Sequence, residues 1–168
     1  MELWDAYNKY EEKVGVDLVR GEAIPKGLYA LAVSTVVRHK DGTYLLMKRD
    51  DSKSIAPGFE EVGAGGAVRK GETPIQAAYR ELWEETGIKA KRLDPIFHLI
   101  SEKQQGIYYG YLCLTDAPKE SVILQVGETS AYRWVTQEEI LAFCDSDACI
   151  PAQRVWLSGF LDELRATI

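Results

Sequence analysis

The sequence predicts an α/β protein in which a mixed β-sheet lies between helical layers. Three observations carry this. Runs rich in β-branched and aromatic residues recur along the chain, as in YALAVSTVVR, TYLLMKR, RLDPIFHLI, GIYYGYLCLT and AYRWV. Between and after them lie segments with a 3.6-residue apolar period, PIQAAYRELWEET, TQEEILAFC and PAQRVWLSGFLDELRA. Asp41-Gly42 joins the first two strand-like runs as a hairpin signal, so neighbouring strands are not all parallel.

In chain order, the opening MELWDAYNKYEEKVG is polar and acidic and receives no strand or helix. It reads as neither a signal peptide nor an Arg-rich transit sequence. YALAVSTVVRHKDGTYLLMKR then forms the hairpin. Residues 54–71, SIAPGFEEVGAGGAVRKG, hold five glycines and a proline and read as loop with short strand pieces. A helix follows, with Thr73 as N-cap, Pro74 in its first turn and Gly87 as its stop. Strands are expected near 92–100, 106–115 and 131–135, then a helix from Thr136. A last continuous helix from Pro151 is expected to bury Val155, Trp156, Leu157, Phe160, Leu161 and Leu164.

The 168 residues suit one domain, residues 1–168, with a core at about 28–146, an N-terminal extension and a C-terminal helix. With 46% hydrophobic and 27% charged residues the composition is that of an ordinary globular protein. No apolar run is long enough to span a bilayer, and the expected location is the cytoplasm. Cys113, Cys144 and Cys149 have no CxxC spacing, which argues against a disulfide framework or a structural zinc site. A net charge of −6 argues against a nucleic-acid partner but leaves room for a small phosphorylated ligand, because a bound cation supplies the missing charge. The apolar stripe with Trp156 and Phe160 packs on the sheet or serves a homodimer contact; periodicity does not separate the two.

The stretch GETPIQAAYRELWEETG gathers carboxylates. At 100° per residue, Ile75, Ala78 and Leu82 form a buried stripe, and Glu81, Glu84 and Glu85 fall within about 100° on its flank. Arg80 stands one turn before Glu84 and can pair with it. Three converging carboxylates repel unless a cation lies between them, and hard oxygen donors suit Mg²⁺ or Mn²⁺ better than zinc. Such a helix alone is commonly a solvated face. The preceding Gly65-Gly66 and Gly71 add backbone that can approach a ligand, carbonyls toward metal and amides toward phosphate.

Gly66, five residues, Glu72, seven residues, then Arg80-Glu81-Leu82-Trp83-Glu84-Glu85-Thr86-Gly87-Ile88 resembles the Nudix box at every specified position. The surrounding order of strands and helices also looks like a Nudix domain. The resemblance implies an α/β/α sandwich and hydrolysis of a nucleoside diphosphate linked to another moiety. It implies that Glu81, Glu84 and Glu85 bind Mg²⁺ with the carbonyl of Gly65, while Glu72 and Arg80 orient them. Water attack on an anionic diphosphate needs such ions, and Glu81 or Glu84 would take the proton from the attacking water. In some relatives the base lies on a distant loop; Glu128 in ILQVGETSAYRW is the local candidate, against a reading as a solvated loop acid.

Arg49 and Lys53, at the end of a strand, look like the basic pair that members near the isopentenyl diphosphate isomerase branch place on a diphosphate, against a reading as exposed residues balancing Asp50 and Asp51. RGEAIPKGLYALAV is also similar to that branch. The isomerase, however, needs a cysteine just before the box and histidine metal ligands. Here that stretch is Val62-Gly63-Ala64-Gly65, and the only histidines are His39 and His98, each placed as structural residues. The unbroken box likewise argues against a ligand sensor that has lost turnover. Trp4, Phe59, Tyr108 and Tyr109 are candidates for stacking on a base, with core packing the simpler reading. No subfamily hallmark names the substrate.

Overall fold

The β-branched run Ala30–His39 (β3) forms the central strand in a computed structural model that describes residues 1–168. Around it the chain forms β1 (Leu3–Tyr7), β2 (Lys13–Val19), β4 (Tyr44–Arg49), β5 (Glu60–Val62) and β6 (Ala64–Ala67). These are followed by α1 (Pro74–Thr86), β7 (Leu93–Ser101), β8 (Gly106–Thr115) and β9 (Thr129–Val135). Three helices close the chain: α2 (Gln137–Asp145), α3 (Pro151–Trp156) and α4 (Ser158–Arg165). No helix is long and apolar enough to cross a membrane.

The sheet is mixed, as predicted. β3 runs parallel to β8 from Ala30↔Gly106 to His39↔Thr115, and β7 pairs antiparallel with the far side of β8. On its other edge β3 meets β4 at Arg38↔Tyr44 alone, beside the Asp41-Gly42 turn. The two arms then part. β4 takes β5 and β9 as antiparallel partners, while β6 fills the vacated edge of β3 from Ala32↔Ala67 to Thr35↔Ala64. The hairpin signal is therefore right about the turn and silent about the splay that opens the sheet.

Period-two alternation sends β3 and β4 side chains to two cores. Leu31, Val33, Val37, Leu45 and Met47 face α1 with Ala77, Ala78 and Leu82. Val36, Tyr44 and Leu46 face the other way, onto Ile140, Phe143, Leu157, Phe160 and Leu161 of the C-terminal helices. The result is a sheet between two helical layers.

Helix α1 begins and ends as its sequence requires. Thr73 and Gln76 make a reciprocal capping box, and Gly87, at φ 70°, donates its N–H to the Trp83 carbonyl. Its buried face differs in detail from the expected stripe. Ala77, Ala78, Leu82, Glu85 and Thr86 are buried, and Ile75 only partly so.

Two further expectations change. The polar N-terminal segment is a β-hairpin, β1–β2, with a small cluster of Ala6, Leu18 and Ala30 beside Trp4. Its outer strand exposes most of KVGVDLV, so it lacks the alternation by which strands are recognised. The last helix is broken at Leu157 (φ −88°, ψ −1°) into α3 and α4. Val155 is left 66% exposed and Trp156 lies half-buried over the Tyr108 ring at 4.3 Å, so neither joins the buried set of Leu157, Phe160, Leu161 and Leu164.

Gly63 is the pivot of the splay, passing the chain from β5 on β4 to β6 on β3. Its φ is +69°, and a Cβ there would lie 1.8 Å from the Thr35 carbonyl oxygen. Gly42 also has positive φ, +92°, but nothing within 4 Å. Gly63→Ala is therefore expected to cost about 3 kcal/mol or more, because strained φ and backbone clash add. Gly42→Ala is expected to cost about 1 kcal/mol, from φ strain alone. Urea denaturation of the two variants measures the difference.

Candidate active site

The four residues that follow Gly63 and the acidic flank of α1 meet in a carboxylate-rich wall. Glycine is required here by space: a Cβ on Gly65 would lie 2.3 Å from the Val33 carbonyl oxygen, and one on Gly66 would lie 2.5 Å from the Glu81 carboxyl group. β6 can thus lie flat against both β3 and the acidic flank.

Arg80 organises that flank. Its Nε and Nη2 donate to the two oxygens of Glu72 at 2.6 and 2.8 Å, and Nη2 also donates to the Ala67 carbonyl at 3.0 Å. Nη1 donates to Glu81 at 2.5 Å and to Glu84 at 3.3 Å. Glu72 in turn accepts the Arg69 amide at 2.9 Å. The hydrogen bond to Arg80, with the amide and both arginine charges, holds the Glu72 carboxyl below the usual carboxylate range.

Glu85 is only 5% exposed, and its carboxylate accepts the Gly65 amide at 3.3 Å. Burial raises its pKa well above the ordinary value, with repulsion from Glu61 and Glu81 adding and the Gly65 amide opposing. Burial also raises Glu81, against the pull of Arg80. These are carboxylates short of positive charge.

Across the cleft, Arg49 ends β4 and donates to the Ile55 carbonyl at 3.1 Å and to Glu61 at 3.1 Å. Lys53 forms an ion pair with Glu128, whose carbonyl accepts the Asp50 amide at 2.9 Å. The cleft between these walls has a volume of ≈ 400 Å³. Five carboxylates line it (Glu2, Glu81, Glu84, Glu85 and Glu128), against the four cations Arg20, Arg49, Lys53 and Arg69. A larger hollow of ≈ 560 Å³ lies against Met1, Glu2, Leu3, Arg69 and Lys70, but no comparable cluster of acids faces it.

The candidate catalytic, metal-binding, supporting and diphosphate-binding residues fall in or beside this cleft. Gly65, Glu81, Glu84, Glu85, Arg49, Lys53 and Glu128 line it, and Glu72 and Arg80 stand behind it. Among the aromatic candidates Trp4 alone lines it. Tyr108 stacks on Trp156, and the Tyr109 hydroxyl donates to Glu11 at 2.7 Å. His39 pairs with Asp41 and His98 with Glu11, and neither lines the cleft. Sequence reasoning missed Glu61, Arg69, Arg20 and Glu2. Glu61 had a signal, a carboxylate two residues before the Gly63 pivot, but only the β4–β5 pairing turns it toward Arg49.

The donor set fits a hard divalent cation: all its donors are oxygens, and its buried carboxylates repel one another. As the side chains stand, Glu81 and Glu84 share Arg80 while Glu85 holds Gly65, and no three acids already converge on one point.

Residues 28–152 match the NUDIX domain. Over 151 residues the chain is 31% identical to an uncharacterized Nudix hydrolase of Listeria monocytogenes, covering 90% of this chain and 89% of that one. It is 33% identical over 116 residues to the uncharacterized Nudix hydrolase YfcD of Escherichia coli, covering 68% and 63% of the two chains. Among solved structures, DR0079 from Deinococcus radiodurans superposes with a TM-score of 0.74 at 25% identity, over 98% of both chains.

Glu85→Gln keeps an acceptor for the Gly65 amide and removes a buried negative charge. It is expected to raise the stability of the metal-free protein by about 1 kcal/mol, since repulsion without a partner is costly at this depth. The urea midpoint in the presence of chelator measures the gain.

Proposed function

The chain belongs to the Nudix family, and on that premise we propose that it is a Mg²⁺-dependent pyrophosphohydrolase, with Mn²⁺ an acceptable substitute, that cleaves the diphosphate linkage of a small nucleoside diphosphate derivative or a related compound. The observation that carries this reading is the acidic flank of Glu81, Glu84 and Glu85 on the cleft, with buried Glu85 on the Gly65 amide, half-buried Glu81 against Gly66 and half-buried Glu84 beside them.

In this reading Glu81, Glu84, Glu85 and the Gly65 carbonyl hold the cation. When bound, the ion neutralises phosphate oxygens and polarises the attacking water. Arg80, fixed by Glu72 and the Ala67 carbonyl, keeps the glutamates aimed at the cleft and limits how far they can move. Arg49 and Lys53, on the opposite wall, meet the oxygens of the diphosphate. Glu81 or Glu84 takes the proton of the attacking water. Glu128 becomes available as base once a diphosphate draws Lys53 away from it. No cysteine lines the cleft, and Cys113, Cys144 and Cys149 are buried elsewhere, which supports hydrolysis over isomerase chemistry. We read residues 1–168 as one domain of a cytoplasmic enzyme that takes a small-molecule diphosphate, has no nucleic-acid or membrane partner and can pair as a homodimer.

The test is release of phosphate or nucleotide from a panel of diphosphates, each run with Mg²⁺, with Mn²⁺ and with chelator. Metal-dependent cleavage of one compound well above the rest is expected. Glu84→Gln is expected to lower turnover at least about a hundredfold with an unchanged circular dichroism spectrum. Full activity with wild-type metal affinity in that variant would overturn the assignment. Silence across the panel with ligand binding retained would favour a sensor.

A further inference from the structure

The N-terminal hairpin lies outside the residues that match the family, yet it supplies one corner of the cleft. Glu2, Trp4, Arg20 and Gly21 all line it. The hairpin is tied to the loop that leads into α1. The Lys70 amide donates to the Leu3 carbonyl at 2.8 Å, the Gly71 amide to Asp5 at 2.8 Å, and Lys70 pairs with Asp17 at 2.6 Å. Glu2 and Arg20 are themselves cross-strand neighbours, the Arg20 amide donating to the Glu2 carbonyl at 3.0 Å.

This corner differs in charge from the rest of the cleft. Arg49 is matched by Glu61, Lys53 by Glu128, and Arg80 is outnumbered by Glu72, Glu81 and Glu84. Arg20 and Arg69 instead share one carboxylate, Glu2, each at 3.4 Å, while Glu2 also accepts the Trp4 indole N–H at 2.8 Å. Arg69 stands 3.6 Å from Glu84, which Arg80 already holds, so the corner adjoins the carboxylate wall. The side chains of Arg20 and Arg69 are 54% and 43% exposed, against 15% for Arg80 and 17% for Lys53. It is the part of the cleft whose guanidiniums are most open to a ligand.

We propose that Arg20 and Arg69, spaced by Glu2, clamp an unesterified terminal phosphoryl group of the substrate, with Trp4 as the adjoining apolar wall. The inference rests on the diphosphate-hydrolase reading. Arg20 and Arg69 share Glu2 at 3.4 Å each, Arg69 stands a further 3.6 Å from Glu84, and their half-exposed side chains keep free N–H donors at a solvent-facing edge. A terminal phosphoryl offers three free oxygens and up to two charges, whereas an esterified one offers two oxygens and one charge. The substrate class is then an organic diphosphate with a free terminal phosphoryl, in preference to a diphosphate esterified at both ends. Water adds its oxygen to one phosphorus and loses a proton to a cleft carboxylate. The bridging P–O bond breaks, and its oxygen leaves on the other phosphorus. The products are orthophosphate and an organic monophosphate.

Two measurements test the clamp. The first compares KM for a nucleoside diphosphate and for the same diphosphate esterified by a sugar, in wild type and in Arg20→Ala. A rise of about tenfold for the free terminal phosphoryl, against twofold or less for the ester, is expected from losing one charge-assisted contact at a half-exposed site. Equal changes for both substrates, or none for either, overturn the clamp. The second is calorimetric binding of methylenediphosphonate in chelator, which needs no turnover. Wild type is expected to bind, Arg20→Ala to bind several-fold more weakly, and Glu2→Gln to bind at least as tightly as wild type. If the arginines only tether the hairpin, Glu2→Gln weakens binding as Arg20→Ala does. That result, or no binding by wild type, overturns the clamp. Binding that follows this pattern without hydrolysis of any diphosphate overturns the hydrolase reading and leaves the clamp standing.

Discussion

The Arg80 guanidinium is the interaction on which the cleft depends. It touches the loop before α1 through Glu72, the end of β6 through the Ala67 carbonyl, and the helix flank through Glu81 and Glu84. A lysine offers a point charge and cannot span these partners at once, whereas the planar fork of arginine donates in several directions. Without a central cation the flank would bring its carboxylates together in a partly desolvated space, where repulsion is weakly screened. Arg80 thus makes the acidic wall compatible with a folded helix, and it does so from behind, leaving the cleft-facing oxygens accessible.

The backbone sets where that wall can stand. β3 and β4 separate after one pairing at Arg38↔Tyr44, and the chain returns through the gap as β5, Gly63 and β6. Gly63 tolerates the crossing because it has no Cβ to meet the Thr35 carbonyl, and Gly65 and Gly66 let the strand fit between β3 and the α1 carboxylates. A conventional hairpin with β3 and β4 fully paired would leave β6 no edge to occupy. The Gly65 amide would then lie too far away to meet Glu85. The same splay frees β4 to pair with β9, and the turn before β9 carries Glu128 to Lys53.

Much of this was legible because it is local. The capping residues of α1, its Gly87 stop and the placement of Glu81, Glu84 and Glu85 on one flank follow from helix geometry and short-range hydrogen bonding alone. The fold class followed from alternating apolar patterns, and the box spacing identified the acidic flank. What was not legible depends on pairing between distant segments. Glu61 reaches the cleft residue Arg49 through the register of β5 on β4, and Arg20 enters the cleft through a two-stranded ribbon whose outer strand is nearly all exposed. The break at Leu157 was also hidden, since an apolar stripe reads the same across a bent helix as across a straight one. Only packing against Tyr108 and the sheet decides where Trp156 and Val155 go.

The two walls of the cleft differ in how the chain supplies them. The acidic wall comes from one continuous stretch, β6 through α1, whose parts are locked to one another by Arg80 and by glycines that admit no side chain. The facing surfaces come from three separate segments: the end of β4, the turn before β9 and the N-terminal hairpin. Residues on the first wall share hydrogen-bond partners and cannot vary independently without leaving a buried charge unmatched. Residues on the others sit at loop and strand ends, are tied mostly by single ion pairs, and can change one at a time. Under the proposed function, handling of the cation and water belongs to the coupled wall, and recognition of the rest of the substrate belongs to the separable ones. On that proposal a complete box identifies the reaction class and says little about the substrate, whose recognition falls to Arg20, Arg49 and Lys53 outside the box and to Arg69 at one of its unspecified positions.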